Sequence, residues 1–142
     1  MKNSYLNVLL KLSKKAYKKN EMPVSCIIIH DGKIISKSFN KKNIKKCAVY
    51  HAEILCIEKA CKKLKTWNLN DCEMYITLEP CGLCKEAIQE SRIKNVYFIL
   101  KKGEITNKFK KTKYEHMYDV NSVPFSLLIS NFFEKIRKEI NK

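Results

Sequence analysis

No segment of this 142-residue chain is apolar for long enough to cross a bilayer, so a membrane-spanning role is not expected. Acidic residues are few, 14 Asp plus Glu against 29 Lys plus Arg, and none precedes Glu21. That basic start invites a signal or transit peptide, but Lys11 breaks its apolar run and no small-x-small cleavage site follows. Arginine is scarcer still, with only Arg92 and Arg137 among the 29 basic residues. The formal charge of +15 therefore rests on lysine, which suits a nucleic-acid partner but also fits a composition biased towards Lys, Asn and Ile. An internal repeat and a linker-like stretch are both lacking, so residues 1–142 read as one domain. The seven cysteines are odd in number and irregularly spaced, which argues against a secreted disulfide framework. The chain reads as cytoplasmic, with reduced thiols.

Hydrophobic residues make up 45% of the chain, enough for one sizeable core. Tyr5, Leu9, Leu12 and Ala16 form a stripe at helical spacing. Two apolar runs flank Asp31-Gly32, a two-residue hairpin signal, and the first, over 24–29, is continuous enough for a central strand buried on both faces. Ile54, Ile57, Cys61 and Leu64 predict a helix over 51–65. A strand over 73–78, a short helix opened by Pro80 and a strand over 95–100 then imply a right-handed parallel crossover. Residues 101–113 read as a polar, lysine-rich loop, and a further strand is expected near 116–120. From Pro124 a last helix carries Phe125, Leu128, Phe132, Ile136 and Ile140 on one face. The class is α/β, one sheet covered by helices.

Cys81 and Cys84 lie three apart in TLEPCGLCKEA, at the start of a predicted helix. A C-x-x-C alone fits a redox pair, a structural zinc clip or half a catalytic zinc site. Upstream, His51 and Glu53 open the preceding helix. In a parallel crossover the two helix N-termini lie side by side at the carboxyl edge of the sheet, so three ligands can meet there. Helix N-terminal amides favour thiolate, and two thiolates plus a neutral imidazole balance Zn²⁺ while leaving one tetrahedral position open. Glu53 does not share the face of His51; it can reach a water in that position and move its protons, and zinc brings the pKa of such a water to roughly 7. A thioredoxin-type pair gives the histidine and glutamate no role. A structural site with a fourth ligand from His30, His116 or Cys47 stays open. The remaining cysteines, including Cys56 and Cys61, read as core thiols.

H-x-E followed by P-C-x-x-C is a zinc-deaminase signature. With EMPVSCIII, SFN, HAEI, TLEPCGLC, ESRIKNVYF and LLISNFFEKIRKE, the chain resembles the cytidine-deaminase-like superfamily and, within it, the bacterial-type tRNA-specific adenosine deaminases. The resemblance implies a three-layer α/β/α sandwich around a five-stranded mixed sheet. It implies one Zn²⁺ per subunit on His51, Cys81 and Cys84, Glu53 as the proton carrier, and Asn40 holding the substrate base and ribose. It also implies a homodimer whose partner subunit completes the tRNA surface. The chain departs from the family at Ser25, where glycine is usual, at Val49 and Tyr50 in place of a Thr-Ala pair, and over 101–113, which lack a glycine-rich segment. These departures leave the metal residues intact and bear on recognition of the anticodon loop.

The expected reaction is hydrolytic conversion of the wobble adenosine of a tRNA, the arginine tRNA with an ACG anticodon, to inosine. The alternatives are deamination of a free guanine, cytosine, cytidine or dCMP, and a zinc-stabilised nucleic-acid-binding module without activity. On the last helix Phe132 or Phe133 exceeds what packing needs, beside Lys135, Arg137 and Lys138, so this surface is a candidate RNA contact, as are Lys108, Lys110 and Lys111 in the loop.

Overall fold

Residues 2–102, 112–117 and 121–141 are described by the computed structural model. Its contacts divide the chain into two units, Met1–Ile105 and Thr106–Lys142.

The first unit begins with α1 (Asn3–Lys18). Asn20, at φ 59°, turns the chain so that the Glu21 N–H returns to the Ala16 carbonyl and closes the helix. Strands β1 (Ser25–His30) and β2 (Lys33–Phe39) form the expected antiparallel hairpin. Both turn residues have positive φ, Asp31 at 51° and Gly32 at 74°, as a tight hairpin between twisted strands requires. After a loop come α2 (Ala52–Leu64), β3 (Cys72–Leu78), α3 (Gly82–Glu90) and β4 (Asn95–Leu100).

The strand order is β2-β1-β3-β4, with β1 antiparallel to both neighbours and β3 parallel to β4. The sheet is therefore mixed. Four strands are present among the described residues; of the fifth expected near 116–120, His116 and Met117 are not in a strand, and 118–120 lie outside those residues.

Strand β1 shows why helices cover both faces. Cys26 and Ile28 point to the cluster that α2 and α3 share with Met74 and Ile76. Ile27 and Ile29 point the other way, to Tyr5 and Leu9 of α1. Five of its six residues are buried, and each such isoleucine contributes about 1.5–3 kcal/mol.

The face of α2 differs in detail from the periodicity. Its line closest to the sheet is Ala52, Cys56 and Ala60, whereas Ile57, Cys61 and Leu64 are only partly buried against that core. Small side chains let the helix approach the sheet, and the larger ones seal the flank. Cys26, Cys56 and Cys72 are buried core thiols, and all seven cysteines are free.

The second unit contains α4 (Val123–Ile140), entered through Pro124 near its first turn, as expected. Lys108, Lys110 and Lys111 lie outside the described residues.

Candidate metal centre and active site

The start of β1 pairs with the end of β2, and Cys26 lies opposite Ile76 near the end of β3, so all three meet at one sheet edge. Helices α2 and α3 both begin there. His51 is the N-cap residue of α2 and Cys81 that of α3, with Cys84 in the first turn of α3. The backbone fixes each of them: the His51 N–H donates to the Val49 carbonyl at 2.8 Å, and the Cys81 carbonyl accepts from Lys85 N–H at 2.9 Å.

Three side chains converge. The Nδ1 atom of His51 lies 3.6 Å from Cys81 Sγ and 3.5 Å from Cys84 Sγ, and the ligand atoms all lie within 4.8 Å of one another. Zinc bonds of about 2.0–2.1 Å to nitrogen and 2.3 Å to sulfur, at a tetrahedral angle, set N and S about 3.5 Å apart. The donor set fits a zinc ion in both kind and spacing.

The protein's own groups oppose the thiolate form of Cys84. Burial, followed by the charge of Glu53 and then of Cys81, pushes the buried Cys84 thiol far up from its usual value. Such a group becomes thiolate when a cation offsets its neighbours. Glu53 is 4% exposed in the first turn of α2, and its Oε1 has no hydrogen-bond partner among the described residues. A buried carboxylate oxygen without a donor is costly and marks a position made for another group.

His51, Glu53 and Cys81 line a cavity of about 460 Å³, within the range of small-ligand sites. Asn40, anchored through its N–H to the Val24 carbonyl at 3.0 Å, lies on the same wall. Met22, Val24 and Leu78 supply apolar surface, and Lys42 and Lys102 supply positive charge. Of the expected alternative ligands, His30 sits at the opposite sheet edge, paired with Lys33 and Cys72, and Cys47 lies outside the cluster. His116 belongs to the second unit.

The family description "cytidine and deoxycytidylate deaminase zinc-binding region" matches residues 1–100. The tRNA-specific adenosine deaminase of Aquifex aeolicus is 38% identical over 98% of this chain and 98% of its own length. That of Rickettsia bellii is 39% identical over 90% and 97%. The chain belongs to the tRNA-specific adenosine deaminases. A solved structure from work on A-to-I editing by tRNA:A34 deaminases superposes with a TM-score of 0.71 at 29% identity, covering 72% of this chain and 75% of that one. Guanine deaminase from Bacillus subtilis shares the deaminase fold, with a TM-score of 0.77 at 23% identity over 92% and 95% of the two chains.

Of the departures from the family pattern, the one at Ser25 is absorbed locally, and 103–111 lie outside the described residues. Ser25 is fully buried and its hydroxyl donates to the Leu9 carbonyl at 2.7 Å, with Ser13 Oγ 2.8 Å away. Where a glycine would leave space, this residue ties β1 to α1. The backbone carbonyl of Tyr50 accepts the Lys41 N–H at 3.0 Å, which joins the loop after β2 to the start of α2 whatever the side chain at this position.

Glu21 has a place in the site that the spacing of the motifs did not reveal. Its buried carboxylate accepts the N–H groups of Asn43 and Ile44, and Asn43 is a cavity residue. The signal was an acidic residue just before the first strand, in EMPV. Phe132 and Phe133 on α4 stand edge to face with ring centroids 5.8 Å apart, and Lys138 pairs with Glu134 at 3.7 Å.

Proposed function

We propose that this protein is a zinc-dependent hydrolase that converts adenosine to inosine in tRNA, at the wobble position, with the ACG-anticodon arginine tRNA as its substrate. The observation that carries the reading is the meeting of His51, Cys81 and Cys84 at a cavity lined by His51, Cys81 and Glu53, whose Oε1 has no hydrogen-bond partner among the described residues. The near full-length similarity to tRNA-specific adenosine deaminases supports the choice of substrate, and supports treating residues 1–142 as one deaminase domain.

In this reading His51, Cys81 and Cys84 hold the metal, one ion per subunit. When bound, zinc supplies a water acidic enough to act as a nucleophile at neutral pH. Glu53 takes the proton of that water, delivers one to N1 of the purine, and later assists departure of ammonia from C6. Its Oε1 has no hydrogen-bond partner among the described residues, which keeps it available for this transfer. Asn40 holds the base and ribose, while Val24 and Leu78 exclude water around the ring. A cavity that buries the base requires an extruded nucleotide, so an unpaired anticodon loop is preferred over a duplex.

The further parts of the reading are a homodimer whose second subunit completes the RNA surface, a cytoplasmic location, and RNA contacts from Phe132, Phe133, Lys135, Arg137 and Lys138. Incubation of the zinc-loaded protein with the tRNA transcript and, separately, with guanine, cytosine, cytidine and dCMP tests the substrate. Inosine in the tRNA is expected; ammonia from a free base or nucleotide alone overturns the assignment.

A further inference from the structure

Lys15 of α1 and Lys41 after β2 place their ammonium groups over one ring, that of Phe39, at 6.0 and 4.8 Å from its centroid. Phe39 is 6% exposed, so the ring is fixed and offers no face on which a base could stack. Lys59 of α2 reaches to β2 and donates from Nζ to the Lys37 carbonyl at 3.1 Å. Burial first, and then the charges of Lys59, Lys45, Lys15 and Lys19, lower the pKa of Lys41, so Lys19 and Lys45 add to the positive field at Lys41.

These five lysines have no acidic partner among the described residues. Among the described residues the ion pairs are His30–Asp31, Lys62–Glu58, Lys85–Glu79 and Lys138–Glu134. Like charges gathered without a counter-charge repel and cost stability, and a polyanion relieves that repulsion. The cluster adjoins the candidate active site, because Lys41 directly follows Asn40 and Lys42 and Asn43 of the same loop line the cavity. Lysine is a point charge that grips phosphate without reading base edges, so binding here is independent of sequence.

We infer that Lys15 and Lys41 over Phe39, with Lys59, Lys45 and Lys19 adding to the positive field at Lys41, bind the phosphodiester backbone flanking the reacting nucleotide. The substrate in this statement rests on the reading above; the binding surface does not.

The test compares three zinc-loaded proteins. One is wild type, one carries Lys15→Gln/Lys41→Gln/Lys45→Gln/Lys59→Gln, and one loses equal charge elsewhere through Lys33→Gln/Lys63→Gln/Lys65→Gln/Lys94→Gln. Fluorescence anisotropy measures binding of an anticodon-arm hairpin RNA over a salt series, and inosine formation gives kcat and KM. The cluster variant should bind about tenfold or more weakly, with its log Kd against log salt slope reduced by about 2–3. Its KM should rise while kcat and zinc content stay at wild-type values and the thermal midpoint does not fall, because the removed charges repel one another. The control should lose less than one unit of slope. Equal slopes and affinities in the two variants overturn the inference, because binding then follows net charge. Deamination of the hairpin with wild-type KM and slope in the cluster variant overturns it too, and leaves the RNA reading standing. Failure of the wild type to deaminate any RNA overturns that reading instead, and the binding series still decides the surface.

Discussion

The carboxylate of Glu21, 4% exposed, accepts the backbone N–H of Asn43 at 2.9 and 3.2 Å. The Ile44 N–H joins it at 3.2 Å. The pair acts as a cap for the short turn in which the Lys45 N–H donates to the Lys41 carbonyl at 2.9 Å. Replacing Glu21 by alanine leaves two amide donors without their acceptor, at a cost of about 1–3 kcal/mol. The expected outcome is a lower thermal midpoint and a KM that rises more than kcat falls, because Asn40 and Asn43 of this loop line the cavity. Zinc content should not change, and Glu21→Gln, which keeps an acceptor oxygen, should recover part of the loss. Wild-type KM in Glu21→Ala would show that the loop does not position substrate.

Glu53→Gln separates an enzyme from a binding module. The amide keeps the shape but cannot take a proton, so kcat should fall by about 10²–10⁴ while zinc content and RNA affinity persist. Turnover within a factor of a few of wild type would remove Glu53 from the proton path.

Cys81→Ser and Cys84→Ser should each lose most of their zinc by elemental analysis, since the hydroxyl is a far poorer anionic donor than thiolate. The Cys84 variant should be affected more in its stability as well, because that residue is fully buried and Cys81 is not. Full zinc occupancy in either variant contradicts its assignment as a ligand. Cys56→Ala should retain the metal.

Ser25→Ala removes the donor to the Leu9 carbonyl and the contact with Ser13 between β1 and α1. The cost should be about 0.5–1.5 kcal/mol by urea denaturation, without loss of zinc. A variant as stable as wild type would mean that the serine only fills the space left by a glycine.

Tyr75 makes a pH prediction. Its hydroxyl donates to Glu73 Oε2 at 2.9 Å, and burial, then that hydrogen bond and the Glu73 charge, hold its pKa up at about 12 against an ordinary 10.0. The folded state therefore keeps this proton after the unfolded state has lost it. Stability from this source is fully present below pH 10 and is lost as the pH rises towards 12. Chemical denaturation at pH 9 to 12 should show a shallower decline for Tyr75→Phe than for wild type, and identical declines would contradict the assignment.

Much of the first unit was legible because its signals are local. The Asp31-Gly32 turn and the apolar runs about it depend on neighbouring residues, and they placed the hairpin, its first run expected over 24–29 and its first strand found at Ser25–His30. The face of α2 was less legible: the periodicity pointed to Ile54, Ile57, Cys61 and Leu64, while Ala52, Cys56 and Ala60 lie closest to the sheet. Weakly hydrophobic small residues leave a faint pattern, yet they win the inner position because only they permit close approach.

The sequence by itself determined which residues could carry the chemistry, since His51, Glu53, Cys81 and Cys84 open two successive helices and helix starts are set by nearby residues. Packing set the rest: Nδ1 stands 3.5 and 3.6 Å from the two sulfurs, Glu53 Oε1 has no donor among the described residues, and Glu21 clamps a loop 22 residues away. The same holds for the two lysines over Phe39, which arrive from α1 and the loop after β2, and for Lys59 of α2, which reaches the Lys37 carbonyl. Distances between segments remote in sequence depend on how helices seat on a shared sheet. That seating is set by the packed core as a whole and is written in no single stretch of the chain.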